Sequence, residues 1–175
     1  MKSLIIDASS AILLYKSGLF LDLLHHYRVL CVERVFAEMT RSGYTGADTF
    51  ARLYRKRKFK VIQPPDTVPH LLLTTPAPAR LHQGERDTLT AFLDDAADFI
   101  LTDDGRAASF CRNANIPYTC ALLCPRILYH AGLISPSACS IHTDSILAIG
   151  RYSKSVVAYA LECPPQNLDF FIPAA

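Results

Sequence analysis

Two short stretches of this chain end an apolar run on aspartate: Leu4-Ile5-Ile6-Asp7-Ala8-Ser9-Ser10 and Phe99-Ile100-Leu101-Thr102-Asp103-Asp104-Gly105. A run of β-formers of this length reads as a buried parallel strand. An Asp directly after it stands at the carboxyl edge of the sheet, where open α/β sheets build their sites. If the two strands are neighbours, their carboxylates meet. Like charges held close need a cation, a shared proton or basic partners, so the pattern points first to a site for a hard, oxygen-binding metal ion.

Two more acids extend the pattern. Glu38 lies in Val35-Phe36-Ala37-Glu38-Met39 and Asp87 in Gly84-Glu85-Arg86-Asp87-Thr88-Leu89, each beside the apolar stripe of a predicted helix. An inward carboxylate is costly unless paired or metal-bound. Each acid also has an ordinary reading. Asp7 and Asp104 suit helix caps, Glu85 and Asp87 suit the first turn of a helix dipole, and Glu38 suits an exposed pair with Arg41. The metal reading replaces several independent coincidences with one cause.

The elements that must position these acids alternate. Strands are expected at 3–6, 28–32, 60–62, 99–102 and 118–120. Helices are expected at 8–16, 19–26, 33–41, 47–58, 85–95, 106–113 and 121–131, with two further helices at 137–151 and 153–163. Residues 74–78, carrying Pro76 and Pro78, read as irregular, and the tail from Pro164 as extended. Strands alternating with helices imply a three-layer α/β/α sandwich around a mainly parallel sheet. Residues 1–135 form the expected domain, and 136–175 a helical extension packed on it.

Composition bounds the rest. The 175 residues are 50% hydrophobic and 19% charged, which excludes disorder and predicts a full core. A net charge of +2 does not by itself imply nucleic acid. No apolar run reaches membrane-span length, and Lys2 leads into only four apolar residues before Asp7, unlike a secretory leader; a cytoplasmic protein is expected. The six cysteines form no CxxC pair and read as reduced core thiols.

The ordered motifs resemble the PIN domain, the metal-dependent nuclease fold shared by VapC-type toxins. The matching residues are Ile6-Asp7-Ala8-Ser9, Val32-x-x-Val35-x-x-Glu38-Met39, Gly84-Glu85-x-Asp87 and Leu101-Thr102-Asp103-Asp104, followed by His130-Ala131-Gly132-Leu133-Ile134. The resemblance covers about residues 1–135. It implies that Asp7, Glu38, Asp87 and Asp104 surround one or two Mg²⁺ or Mn²⁺ ions, directly or through water, with Asp103 able to replace Asp104. It implies hydroxyls from Ser9 and Thr102 at the site, and Glu85 as an outer acid. Position 87 departs from the subgroup, which often carries Glu there. The implied activity is endoribonucleolytic: water attacks a phosphodiester in line with the leaving 3′ oxygen. A toxin role, an antitoxin partner and a homodimer are further family expectations.

Arg52, Arg55, Lys56, Arg57 and Lys58 crowd one stretch with Tyr54 and Phe59 between them, and Arg106 follows Asp104. Basic residues interleaved with aromatics can track a phosphate backbone and stack unpaired bases. Such a run is otherwise a solvated helix face. An RNA groove requires this stretch to lie beside the acids. A catalytically silent PIN-like module that binds nucleic acid or protein is the alternative. A phosphatase is disfavoured because Asp7 is followed by Ala8 and Ser9, so the Asp-x-Asp nucleophile pair is missing.

Overall fold

A computed structural model describes residues 1–74, 81–94 and 96–173. The strands are β1 (Ser3–Ile6), β2 (Arg28–Val32), β3 (Lys60–Ile62), β4 (Phe99–Leu101) and β5 (Tyr118–Thr119). The helices are α1 (Ala8–Lys16), α2 (Phe20–His26), α3 (Glu33–Met39), α4 (Ala47–Arg55), α5 (His70–Thr74), α6 (Gln83–Leu93), α7 (Gly105–Asn113), α8 (Cys124–His130), α9 (Pro136–Ile149) and α10 (Lys154–Glu162). All the strand pairings are parallel, in the order β3-β2-β1-β4-β5. Helices flank the sheet, giving the α/β/α sandwich that the alternating pattern predicts.

The two apolar runs are central because both faces of the sheet are covered. Leu4, Ile5, Ile6, Phe99, Ile100 and Leu101 are all buried, so neither strand needs a polar face. β1 and β4 are neighbours, with Ile6 opposite Leu101. Chain order reverses there: β2 and β3 run out on one side of β1, and β4 and β5 on the other. This is the topological switch point, where the strand ends of an open parallel sheet leave a crevice. Asp7 emerges at that point, its amide donating to Leu101 O at 3.1 Å.

Four details differ from the expected elements. Helix α4 stops at Arg55 rather than running to 58. Arg57 turns left-handed (φ 53°), and the Lys58 amide returns to Leu53 O at 3.0 Å, closing the helix end. The cause is Phe59, which is buried and meets the rings of Phe20 and Tyr54 at 6.4 and 6.1 Å. The tail is not extended: Pro165–Asn167 and Asp169–Phe171 are 3-10 turns, which bury Leu168 and set Phe171 edge-on to Phe99 at 5.1 Å. Residues 121–131 divide into a 3-10 turn, Ala121–Leu123, and α8. Thr74 ends the unanticipated α5. The irregular stretch expected through Pro76 and Pro78, the expected helix end at Asp95 and the final Ala174-Ala175 lie outside the described residues.

The C-terminal helices pack on the same body: α9 lies against α8 and α1, and α10 against the 121–123 turn. Cys31, Cys111, Cys124 and Cys163 are buried, and burial pushes the Cys31 and Cys111 thiols up to about 12, as small core hydrophobes. Among the described residues no helix is long and apolar enough to cross a membrane.

Candidate active site

Asp7 is buried and caps α1. Its Oδ1 accepts the Ser10 amide at 2.7 Å and the Ser9 hydroxyl at 2.9 Å. Its Oδ2 accepts the Thr102 hydroxyl at 2.5 Å. Thr102 thus ties the end of β4 to the carboxylate at the end of β1, and its Oγ1 also accepts the Asp104 amide at 3.2 Å. Both hydroxyls expected to support the site touch Asp7, directly from Ser9 and across the strand gap from Thr102.

The adjacent aspartates are separated by what they bond. Asp104 caps α7, accepting the Arg106 and Ala107 amides at 2.8 and 2.9 Å on one oxygen, Oδ1. Asp103 faces the C-terminal segment: Oδ1 accepts the Tyr152 hydroxyl at 2.5 Å and Oδ2 the Ala121 amide at 3.0 Å. Burial pushes the Asp103 carboxyl above the usual range. Tyr152 opposes that shift, and the charge of Asp7 adds to it. Capping and chemistry are compatible here, because a capping carboxylate retains a second oxygen.

A cavity of about 440 Å³ opens beside Asp7 and is also lined by Ser9, Arg34, Glu38, His82 and Glu85. Glu38 is exposed on α3, with no hydrogen-bond or ion-pair partner among the described residues; the expected pair with Arg41 is not formed, and Arg41 instead lies over the Tyr44 ring at 5.4 Å. Glu85 folds back to accept the His82 amide at 2.9 Å. Its carboxyl is pushed up by burial, an effect moderated by the His82 amide and reinforced by the charges of Asp104 and Asp7. Asp87 is placed differently. One oxygen accepts Arg34 Nε at 3.0 Å and the other Gln83 Nε2 at 2.7 Å, and the residue is not part of the cavity wall. The structure therefore gathers Asp7, Glu38 and Glu85 around the cavity, sets Asp104 within electrostatic reach of Glu85, and holds Asp87 on Arg34.

The basic stretch lies elsewhere. Arg28, Arg55, Arg57, Lys58 and Lys60 line a groove of about 710 Å³ with Tyr54 and Phe59. Arg28 pairs with Ser3 at the start of β1, so this groove sits at the amino edge of the sheet. The acids sit at the carboxyl edge, a strand length of roughly 13 Å away. Arg52 and Lys56 are exposed nearby, and Arg106 is exposed at the start of α7, beside the acids.

The family is decided by likeness along most of the chain: the model of a family described as PIN domain matches residues 3–161. The chain belongs to the PIN-domain family. The match runs past residue 135 into α10, so the C-terminal helices are part of what the PIN family model describes. No curated protein and no solved structure matches the chain. PIN domains are nuclease-type folds whose members typically use divalent metals. The donors at this edge fit such an ion in kind: all are carboxylate or hydroxyl oxygens, and Glu85, pushed up first by burial, also feels the charges of Asp104 and Asp7, which a cation would offset. Among the described residues no three Asp, Glu, His or Cys side chains already converge on one point, so ligation requires carboxylate rotation, to which the partnerless Glu38 is open.

Two site residues escaped the sequence reading. Arg34 sits four residues before Glu38, so both fall on one face of α3, a spacing that could have placed it at the cavity. Tyr152 lies 49 residues from Asp103 with no local signal; only the tertiary packing of the C-terminal segment brings it there.

Proposed function

We propose that this PIN-domain protein is a Mg²⁺- or Mn²⁺-dependent endoribonuclease of the cytoplasm, acting as the toxin of a toxin–antitoxin pair, with an antitoxin and a second copy of the chain as protein partners. The observation that supports this most is the crowding of Asp7, Glu38, Glu85 and Asp104 at the switch point between β1 and β4. These four residues would hold the ion. When bound, it supplies an activated water and compensates charge on the phosphate. Thr102 and Ser9 fix the two oxygens of Asp7 and keep it from swinging away. Arg34, steered by Asp87, offers the scissile phosphate a guanidinium at the rim of the cavity. The test is cleavage of an unstructured RNA by purified protein with Mg²⁺ or Mn²⁺ and its loss on adding EDTA; cleavage that persists in EDTA refutes the proposal.

Glu85 and Asp87 receive different roles, and kinetics separate them. Glu85→Gln is expected to lower kcat by about 100-fold or more, the scale of losing one electrostatic contributor to the transition state. Asp87→Asn is expected to release Arg34 and raise KM more than it lowers kcat. Equal losses in kcat would make Asp87 a ligand.

The basic groove at the far edge suits a long or folded RNA that wraps around the sheet. Replacing Arg55, Arg57 and Lys58 together with Ala is expected to weaken binding of a long RNA. The slope of log affinity against log salt should fall by roughly 2, from three phosphates at about 0.7 each. Cleavage of a short oligonucleotide should be unchanged. A matching loss on the short substrate would place the groove in the cleavage path.

The failure of three carboxylates to converge favours one other reading, a PIN module that binds without hydrolysis. Calorimetry with Mn²⁺ decides: no heat at millimolar metal supports the silent module.

A further inference from the structure

A recess on the other side of Asp103 has no role in the scheme above. It encloses about 650 Å³ between α7, β5 and the C-terminal segment, and its wall includes Thr102 and Asp103. That volume suits a nucleotide-sized ligand. The C-terminal segment supplies Arg151, Tyr152 and Tyr159, while α7 and β5 supply Arg112 and Tyr118. Arg112, Arg151 and Tyr159 are exposed. Thr119 also lines the recess, and its Oγ1 is buried with no hydrogen-bond partner. An orphaned buried hydroxyl costs on folding unless something completes it.

We propose that this recess holds one unpaired nucleotide of the RNA substrate, next to the scissile phosphate. The position follows from Thr102, which lines the recess and donates to Asp7, so a single side chain stands between the recess and the catalytic carboxylate. Tyr159 and Tyr118 give the base a face to stack on, a contact every base accepts. Thr119 Oγ1 bonds the base edge, where a hydroxyl serves as donor or acceptor. Arg112 and Arg151 take the neighbouring phosphates. Asp103 and Tyr152 are bonded to each other and form a fixed wall between recess and acids. The assignment of RNA rests on the nuclease reading; nucleotide binding does not.

The probes are the four ribonucleoside 5′-monophosphates and a short unstructured oligoribonucleotide, titrated by calorimetry and NMR into full-length protein in EDTA, where no cleavage occurs. At least one mononucleotide should bind, and the oligonucleotide should displace it. Tyr159→Ala and Arg151→Ala, both on exposed side chains, should each weaken binding about tenfold. The near-isosteric Thr119→Val should weaken it with altered preference among the bases. In cleavage assays Tyr159→Ala should raise KM for every RNA alike, and Thr119→Val should change the base preferred beside the cut. Binding of no mononucleotide at millimolar concentration overturns the proposal, and so does mononucleotide binding that the oligonucleotide does not displace, which would mark a site for a free nucleotide. Loss of cleavage with nucleotide binding retained refutes the nuclease reading alone; cleavage without nucleotide binding refutes the recess alone.

Discussion

Asp7→Asn protein is expected to lose about 1,000-fold or more of its metal-dependent RNA cleavage, roughly 4 kcal/mol of transition-state stabilisation, while keeping its fold. The loss is large because Asp7 is the buried acid at the switch point and the group to which both supporting hydroxyls are directed. The fold survives because Asn is as good a helix cap as Asp. Its amide oxygen can take the place of Oδ1 and keep the Ser9 and Ser10 bonds. Its NH₂ then faces Thr102 Oγ1, whose hydroxyl must turn from donor to acceptor. That exchange costs about 1 kcal/mol, offset in part because Glu85 and Asp103 lose a neighbouring negative charge. Cleavage rates on an RNA oligonucleotide, with circular dichroism and a melting curve for the same sample, check both halves. A variant that cleaves at the wild-type rate removes Asp7 from the chemistry, and one that unfolds makes it a structural cap.

The frame of this site was legible in the sequence because its signals are local. An apolar run, a following Asp and a helix former fix a strand end and a cap within seven residues. The pairing of β1 with β4 follows from burial on both faces. The roles of the paired acids were less legible. Asp103 and Asp104 share one local pattern, and what parts them is a hydroxyl from residue 152, on a segment whose approach no periodicity encodes. Glu85 and Asp87 lie two apart on α6, hence on different faces, so only one of them reaches the cavity. Which face turns inward depends on how α6 packs, and Arg34 from α3 takes Asp87. The basic stretch shows the limit of composition most clearly. Its charge and aromatics are those of a nucleic-acid groove, yet a short strand places it at the wrong end of the sheet to touch the acids.

Chain ending at Ser135 is expected to be insoluble or to lose cooperative unfolding, because the last forty residues complete the body rather than decorate it. Ile146 and Leu168 are buried, and Phe171 covers Phe99. Large apolar side chains contribute about 1.5–3 kcal/mol each on burial. The same cut strands polar groups that stay behind. Arg126 loses the carbonyls of Ala160 and Cys163, each at 2.8 Å. The Tyr27 hydroxyl loses Phe171 O at 2.7 Å, and Asp103 loses Tyr152. Each buried group left unpaired costs about 1–3 kcal/mol, so the losses together reach the order of 10 kcal/mol, the net stability of a whole domain. A gentler variant isolates one contact. Tyr152→Phe keeps the ring and removes the hydroxyl from Asp103, for an expected cost of about 1–3 kcal/mol and a Tm lower by about 2–4 °C per kcal/mol. Its pH dependence carries a sign. The Asp103 carboxyl is raised in the folded state, so the native protein binds that proton more tightly than the unfolded chain, and stability falls as pH rises from the ordinary carboxylate range through the raised value. Tyr152 opposes that fall by bonding the ionised form. The deficit of Tyr152→Phe should therefore be larger at pH 7 than at pH 4, read from denaturant melts at both. A soluble, cooperatively folding 1–135 fragment, or a deficit that shrinks toward neutrality, would show that the C-terminal segment does not complete the core in this way.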